Sequence, residues 1–596
     1  MKTNSIAALI VSLLFSTSLL LAQPAPQNSA PNQPRQNQLN VPPTNNPPTN
    51  NPPPNNPPPN NPPPNNPPQI ALLPEFRPIG ASGNNLQHPA LDPVPGSPEL
   101  TIAPLNFASG PNDPLVPGPN PRLISTIISG GTGANGQNGE TNDPVGSAWM
   151  YVFGQFLDHD LGLENTPQDA VSIPVVVPPN DPVFTPGTMI AMTRAARSPV
   201  TNTIINTTAG YLDLSQLYGS TAEVAASLRN PDGTLVSSGS GQYLQVINHA
   251  FATGDPRAME NPELTAITTL FMREHNYWVS QLKTANPAWT GDQLYNMARS
   301  ITIAEYQNII YTEYLPLVVG PILGQYTGYN QNVNTQVTQE FSTAAFRFGH
   351  SQVSDTQEGL DNSGSSVFTE PLSQSFFNTA EMDEANGINP LLRSLGADYS
   401  QATDVYVVGA LRNLLFAPLV GGDIDEMDLI AIDIQRERDA GLGTLNQTRK
   451  ALGLPRLNSI AGLTGDPVLQ QSFQSLYGNI DNVDLFIGGL AESAAPGALV
   501  GPTFQAIIAS QFYALRAGDR FFWQNEPFDP QMRAMIANTK LSDILLRNTD
   551  TIAVQPDLFI EATLGAHIKT HIPPPPPQNQ RPFTPPQNPP PQQPPR

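Results

Sequence analysis

The run Gly154-Gln155-Phe156-Leu157-Asp158-His159-Asp160 sets an imidazole between two carboxylates. On a helix the neighbours of His159 point about 100° to either side of it. One acid can then serve a cofactor and the other a cation, with the ring aimed between them. By itself the run also reads as a solvated helix end. In Ala209-Gly210-Tyr211-Leu212-Asp213-Leu214-Ser215, Asp213 and Ser215 stand two apart, so in an extended loop both oxygens project to one side. Three further blocks combine arginine with acids or histidine: Asp255-Pro256-Arg257-Ala258-Met259-Glu260-Asn261, Phe346-Arg347-Phe348-Gly349-His350, and Asp433-Ile434-Gln435-Arg436-Glu437-Arg438-Asp439.

The elements that carry these blocks read as helices. From Pro262, the stretch 263–285 spaces Leu264, Ile267, Leu270, Phe271, Trp278 and Leu282 mostly three or four apart, the period of one buried helical face. Pro262 suits a first turn, and Glu263 suits its positive dipole. A second long helix is expected over 291–313, with shorter ones over 149–157 and 343–353. Strand patterns are few, at 172–177 and 234–247. The fold class is mainly α, a single large helical domain with few short strands over 70–572, with no internal low-complexity break.

Composition narrows the chemistry. A net charge of −22 disfavours nucleic acid, whose phosphates require a basic face, and disfavours anionic partners at long range. With no Cys, disulfides, thiolate nucleophiles, iron–sulfur clusters and Cys-ligated zinc or haem are excluded. There are seven His. His275, on the long helix, reads as a buried structural residue; His567 and His571, four apart, read as a solvated pair, and His88 and His249 receive no role. Residues 23–69 and 573–596 are Pro-rich tails, carrying 32 of the 68 prolines and too few large apolar side chains to offset chain entropy. They read as disordered or semi-rigid spacers and as candidate contacts for cell-surface or matrix partners. Ahead of them, Lys2 and an apolar run to Ala22 fit a secretory signal peptide over 1–22. The run is short for a bilayer span, so a secreted protein without a stable membrane span is expected.

Taken in order and spacing, the five blocks resemble the animal-type haem peroxidase family of the peroxidase–cyclooxygenase superfamily, over about 75–570. The resemblance implies a helical domain around one haem b, usually with a calcium ion, in which hydrogen peroxide is reduced to water as a ferryl state forms, which a small-molecule reductant then consumes. Carried over by position, His159 looks like the distal histidine, Gln155 its neighbour over the haem, and Arg257 the distal arginine. Asp158 and Glu260 match carboxylates that esterify haem methyl groups. His350 matches the proximal iron ligand, with Asp433 as its hydrogen-bond partner, and Arg347 and Arg436 match arginines that pair with propionates. Asp160, Asp213 and Ser215, with the carbonyls of Ala209 and Tyr211, match the calcium shell. The roles suit the residue types: an imidazole takes and returns a proton near neutral pH, a fixed guanidinium stabilises a leaving oxygen, and a carboxylate makes a ligating imidazole more basic.

Three positions depart from the family pattern. Ala209 lacks the hydroxyl of the usual Thr, which weakens the calcium shell. Asn261 replaces the Met that forms a sulfonium link in the myeloperoxidase subtype, and Asp433 replaces the Asn of the mammalian enzymes. Both favour a lower potential, hence bromide, iodide, thiocyanate or phenols over chloride. Two rival readings come from other classes. A fatty-acid dioxygenase or cyclooxygenase would need a Tyr where Arg347 stands, three residues before His350. A silent adhesion or matrix module would have no chemical need of His159, Arg257 and His350 together.

Overall fold

The computed structural model describes residues 70–561 and 569–570, apart from 108–114, 132–141, 168–169, 248–249, 377–386 and 417–424. The signal segment 1–22, both Pro-rich tails, His249, His567 and His571 lie outside the described residues.

Helices dominate, and the strands among the described residues pair only in two-stranded sheets, such as Thr356–Leu360 against Ser366–Pro371. Helix α1 (Trp149–Leu161) is buried on nearly all sides. Its contact with its neighbours is close: a Cβ on Gly154 would stand 2.7 Å from the Tyr314 hydroxyl, so glycine is what lets the chains approach. Helix α2 (Pro262–Ala285) begins at the proline, as its spacing predicts, capped by the Asn261 side chain. All six of its periodic apolar residues are buried. Next in sequence, and packed against it, comes α3 (Gly291–Ile309), opened by a Thr290/Gln293 capping box.

Here the expected single helix to residue 313 is corrected. The chain widens into a π-turn over Ile310–Tyr314, because Pro316 offers no N–H and its ring crowds the preceding turn. The expected helix at 343–353 is a 3₁₀ segment, Ala345–Gln352. The helix expected to stop at 157 continues to Leu161, where Gly162 leaves it in an extended conformation; neither Gly nor Pro stands between Leu157 and Gly162. Of the expected strands, 172–177 keeps only Val175–Val176 and 234–247 only Val246–Ile247, since Ser237-Ser238-Gly239-Ser240-Gly241 turns the chain between them, with Gly241 at φ 77°.

Helix α4 (Leu429–Ala440), capped by Asp428 and ended by left-handed Gly441, lies behind the 3₁₀ segment. Helices α5 (Pro502–Ala517) and α6 (Leu541–Asn548) close the core, α5 against the 3₁₀ segment and α6 against α2. The 3₁₀ segment also packs on α1, which brings the blocks around residues 159 and 350 to one place.

Candidate active site

On α1, Gln155 and Asp158 are half-buried among buried neighbours, and His159 is 5% exposed. Burial, reinforced by the charges of Arg257 and His350, holds the His159 imidazole down to about 3, so it is neutral at neutral pH. Its Nε2 stands 3.9 Å from Glu260 Oε2. That oxygen also accepts a bond from Gln155 Nε2 at 3.0 Å, while Gln155 Oε1 accepts one from Asn261 Nδ2 at 3.0 Å. Burial pushes the Glu260 carboxyl up to about 8, against the pull of Arg257 and with help from Asp255 and Asp158. Burial likewise raises Asp158, opposed by Arg257, Arg347 and His350.

Arg257 sits on a 3₁₀ turn, Pro256–Met259, capped by Asp255. Its Nε donates to both Asp255 oxygens at 3.1 Å, and its Nη2 donates to Asp255 Oδ2 at 2.6 Å and to the Gly162 carbonyl at 2.8 Å. Nη1 is thus the nitrogen not used in pinning the group.

Across from α1, His350 Nδ1 lies 2.6 Å from Asp433 Oδ2 on α4. Asp433 is fully buried, and its other oxygen accepts from Arg347 Nη1 at 2.8 Å. With Nδ1 engaged, Nε2 is the His350 nitrogen left for a metal. Gln155 and Asp158 on one side, and Arg347, Gly349 and His350 on the other, are only half-buried. A Cβ on Gly162 or Gly349 would meet nothing within 4 Å. The donor set, a carboxylate-bonded imidazole with arginines nearby, suits a haem iron and its propionates.

The cation loop differs from the extended one expected. Leu214 is left-handed (φ 58°) and Ser215 opens a short helix, so the backbone N–H groups of Asp213, Leu214 and Ser215 turn onto the Asp160 carboxylate at 3.0, 3.1 and 2.6 Å. Side-chain alternation along a strand therefore does not apply here. Ser215 Oγ still reaches the Asp160 carbonyl, at 3.1 Å. Asp213 Oδ1 is buried with no hydrogen-bond partner, and Oδ2 faces Arg299 at 3.8 Å. The Ala209 and Tyr211 carbonyls accept bonds from the N–H groups of Tyr211 and Asp213. His275 is the buried structural residue expected, fixed by the Tyr218 hydroxyl and the Gly233 carbonyl at 3.0 Å each.

Sequence reading missed three acids. Asp255 carried a signal, an Asp-Pro pair at the start of a turn. Asp439 stands three residues after Arg436 on α4 and pairs with it at 2.8 Å. Glu164 gave none, because its partner Arg347 is 183 residues away.

The profile of the animal haem peroxidase family matches residues 76–559, and the chain belongs to that family. It is accordingly a haem-dependent peroxidase. It is 32% identical over 527 residues to peroxinectin A of Dictyostelium discoideum, covering 81% of this chain and 96% of that one. With human eosinophil peroxidase it shares 34% identity over 480 residues, 70% of this chain and 66% of that one. The solved structure of peroxidase A from Dictyostelium discoideum superposes with a TM-score of 0.72 at 30% identity, covering 81% of this chain and 99% of that one. A fatty acid alpha-dioxygenase from Arabidopsis thaliana has a TM-score of 0.69 at 19% identity, over 84% and 85% of the two chains; that likeness is one of fold. No helix among the described residues is long and apolar enough to cross a membrane.

Proposed function

We propose that the enzyme is exported and reduces hydrogen peroxide through His159 and Arg257, oxidising small anions (bromide, iodide, thiocyanate) or phenols. The carrying observation is the buried His159 imidazole, kept neutral chiefly by burial and further by Arg257 and His350. The haem, when bound, would supply the iron through which the two oxidising equivalents of hydrogen peroxide reach the reductant. His350 would hold it, with Nε2 the nitrogen left for the purpose, while Asp433 engages Nδ1 and fixes the ring orientation. His159 takes a proton from one peroxide oxygen and returns it to the other, a task for which a neutral ring is ready. Arg257, fixed by Asp255, offers a guanidinium to the negative charge that builds on the leaving oxygen. Gln155, oriented by Asn261, holds Glu260 beside this site. Arg347 counts against the tyrosyl route of a dioxygenase, because it stands where that route would need a Tyr.

The Asp433–His350 pair favours a low iron potential, and Asn261 cannot form a sulfonium link. Purified enzyme is expected to show a Soret band and peroxide-dependent oxidation of bromide and guaiacol well above that of chloride. A colourless protein, or chloride as preferred substrate, would overturn the reading. Asp158 and Glu260 would hold the haem by ester bonds; acid-stable haem retention should then drop in Asp158→Ala or Glu260→Ala, and unchanged haem release would remove the ester claim.

Calcium would bind at Asp213 Oδ1, Ser215 Oγ and the carbonyls of Asp160, Ala209 and Tyr211, consistent with the orphaned, buried Asp213 oxygen. At a hundredfold excess over Kd, binding stabilises by about 2.7 kcal/mol. Chelation should therefore lower Tm by several degrees in the parent, restored by calcium, and leave Asp213→Ala unmoved. An equal response in both proteins would remove Asp213 from the site.

A further inference from the structure

Both arginines matched to haem propionates end on a single protein carboxylate. Glu164 follows α1 by three residues and is pinned by an antiparallel bridge to Asn206. Its Oε1 accepts from Arg347 Nη2 at 2.8 Å, and its Oε2 lies 2.6 Å from Arg436 Nε. All three groups are largely shielded, with side-chain exposures of 13%, 17% and 0%. The remaining nitrogens of Arg347 are also engaged, Nε by the Ser342 carbonyl and Nη1 by Asp433. A second carboxylate arriving at Arg347 therefore meets a fork whose every nitrogen already has an acceptor.

Charge leaves room for exchange. Arg194, Arg197, Arg347 and Arg436 face Asp433, Asp439 and Glu164, four cations to three anions. One more carboxylate balances the cluster; two, without loss of Glu164, overfill it. A carboxylate spanning two guanidinium groups is also the arrangement a propionate would adopt.

From this we infer that Glu164 is a resident stand-in for a haem propionate, bridging Arg347 and Arg436 in the haem-free chain and giving up that bridge when the porphyrin enters. The inference rests on the haem placement proposed above. Until haem arrives, Glu164 adds a shared carboxylate to two guanidinium groups that Asp433 and Asp439 also pair. Displacing it opposes haem capture, so the residue sets how tightly and how fast the porphyrin is taken up.

The test uses full chain produced without haem and titrated with hemin, followed by the Soret band and by quenching of tryptophan fluorescence. Glu164→Gln keeps shape and one acceptor but gives up the charge-assisted bonds. It should bind hemin roughly ten- to a hundredfold more tightly than the parent, the worth of one or two such bonds. Hemin dimethyl ester, whose propionates are blocked, supplies an arm that needs no variant: the parent should bind it more weakly than hemin, and the Glu164→Gln advantage should vanish with it. Equal or weaker hemin binding by Glu164→Gln, at unchanged circular dichroism, would overturn the exchange and make Glu164 a permanent brace. A parent that takes up no hemin would instead sink the haem placement itself.

Discussion

Replacing His159 with alanine should slow the reaction of the haem-loaded enzyme with hydrogen peroxide by about 10²–10⁴-fold, the usual worth of a positioned general acid–base. The Soret band should stay, because in the proposed placement His350, not His159, would hold the iron. A loss of 10³ corresponds to about 4 kcal/mol of barrier. The pH profile carries a second expectation. An ordinary imidazole would be protonated, and so unable to accept the first proton, below its usual value of 6.5; burial and the neighbouring cations hold His159 down to about 3. The parental rate should therefore stay level from pH 7 to about pH 4, as far as His159 decides it. The same shift has a stability sign. His159 binds protons in the unfolded chain below 6.5 but in the folded chain only near 3, so the stability it contributes above 6.5 is lost as pH falls towards 3. His275, held down to about 4 by burial, acts in the same direction. Stopped-flow absorbance against pH reads the rate; an alanine variant reacting at the parental rate would take His159 out of proton transfer.

Much of this site is legible in the sequence because its parts come in short blocks. Asp158, His159 and Asp160 share one helix, and Arg257 stands three residues before Glu260, so spacing alone groups them. The long helix from Pro262 is equally legible: proline, acid and a periodic apolar face all agree on its start. Where local rules compete with packing, the reading slips. The loop at 213–215 looks extended, yet the buried Asp160 carboxylate demands donors, and left-handed Leu214 turns three N–H groups onto it. The 3₁₀ winding at His350 and the π-turn at 310–314 are likewise set by neighbours and by Pro316 rather than by apolar period. Glu164 lies at the far end of that scale. Nothing in Leu163-Glu164-Asn165 announces a partner; only the fold brings the acid to Arg347 and Arg436.

Arg257 and Asp255 allow the anion-stabilising role to be separated from the positioning of the group that performs it. Arg257→Gln should slow the peroxide reaction by about 10²–10³-fold, the range for removal of one preorganised donor to a developing oxyanion. Asp255→Asn leaves the guanidinium in place but removes the charge that pins it, so a smaller loss is expected, about tenfold or 1.4 kcal/mol. Asp255 is suited to that part: burial would raise its carboxyl, but Arg257 overrides burial and keeps it below the ordinary range, hence ionised. The two variants should also move the acid limb of the rate in opposite directions. Arg257 lowers the His159 value and Asp255 raises it. Losing the cation therefore lets His159 protonate at higher pH, and the rate of Arg257→Gln should begin to fall at less acidic pH than that of the parent. Losing the anion drives His159 lower still, so the limb of Asp255→Asn should not rise. Rate–pH curves for the three proteins, at equal haem content, decide this. Acid limbs that coincide would show that neither charge reaches the imidazole, and with that the electrostatic coupling across the distal pocket would fail.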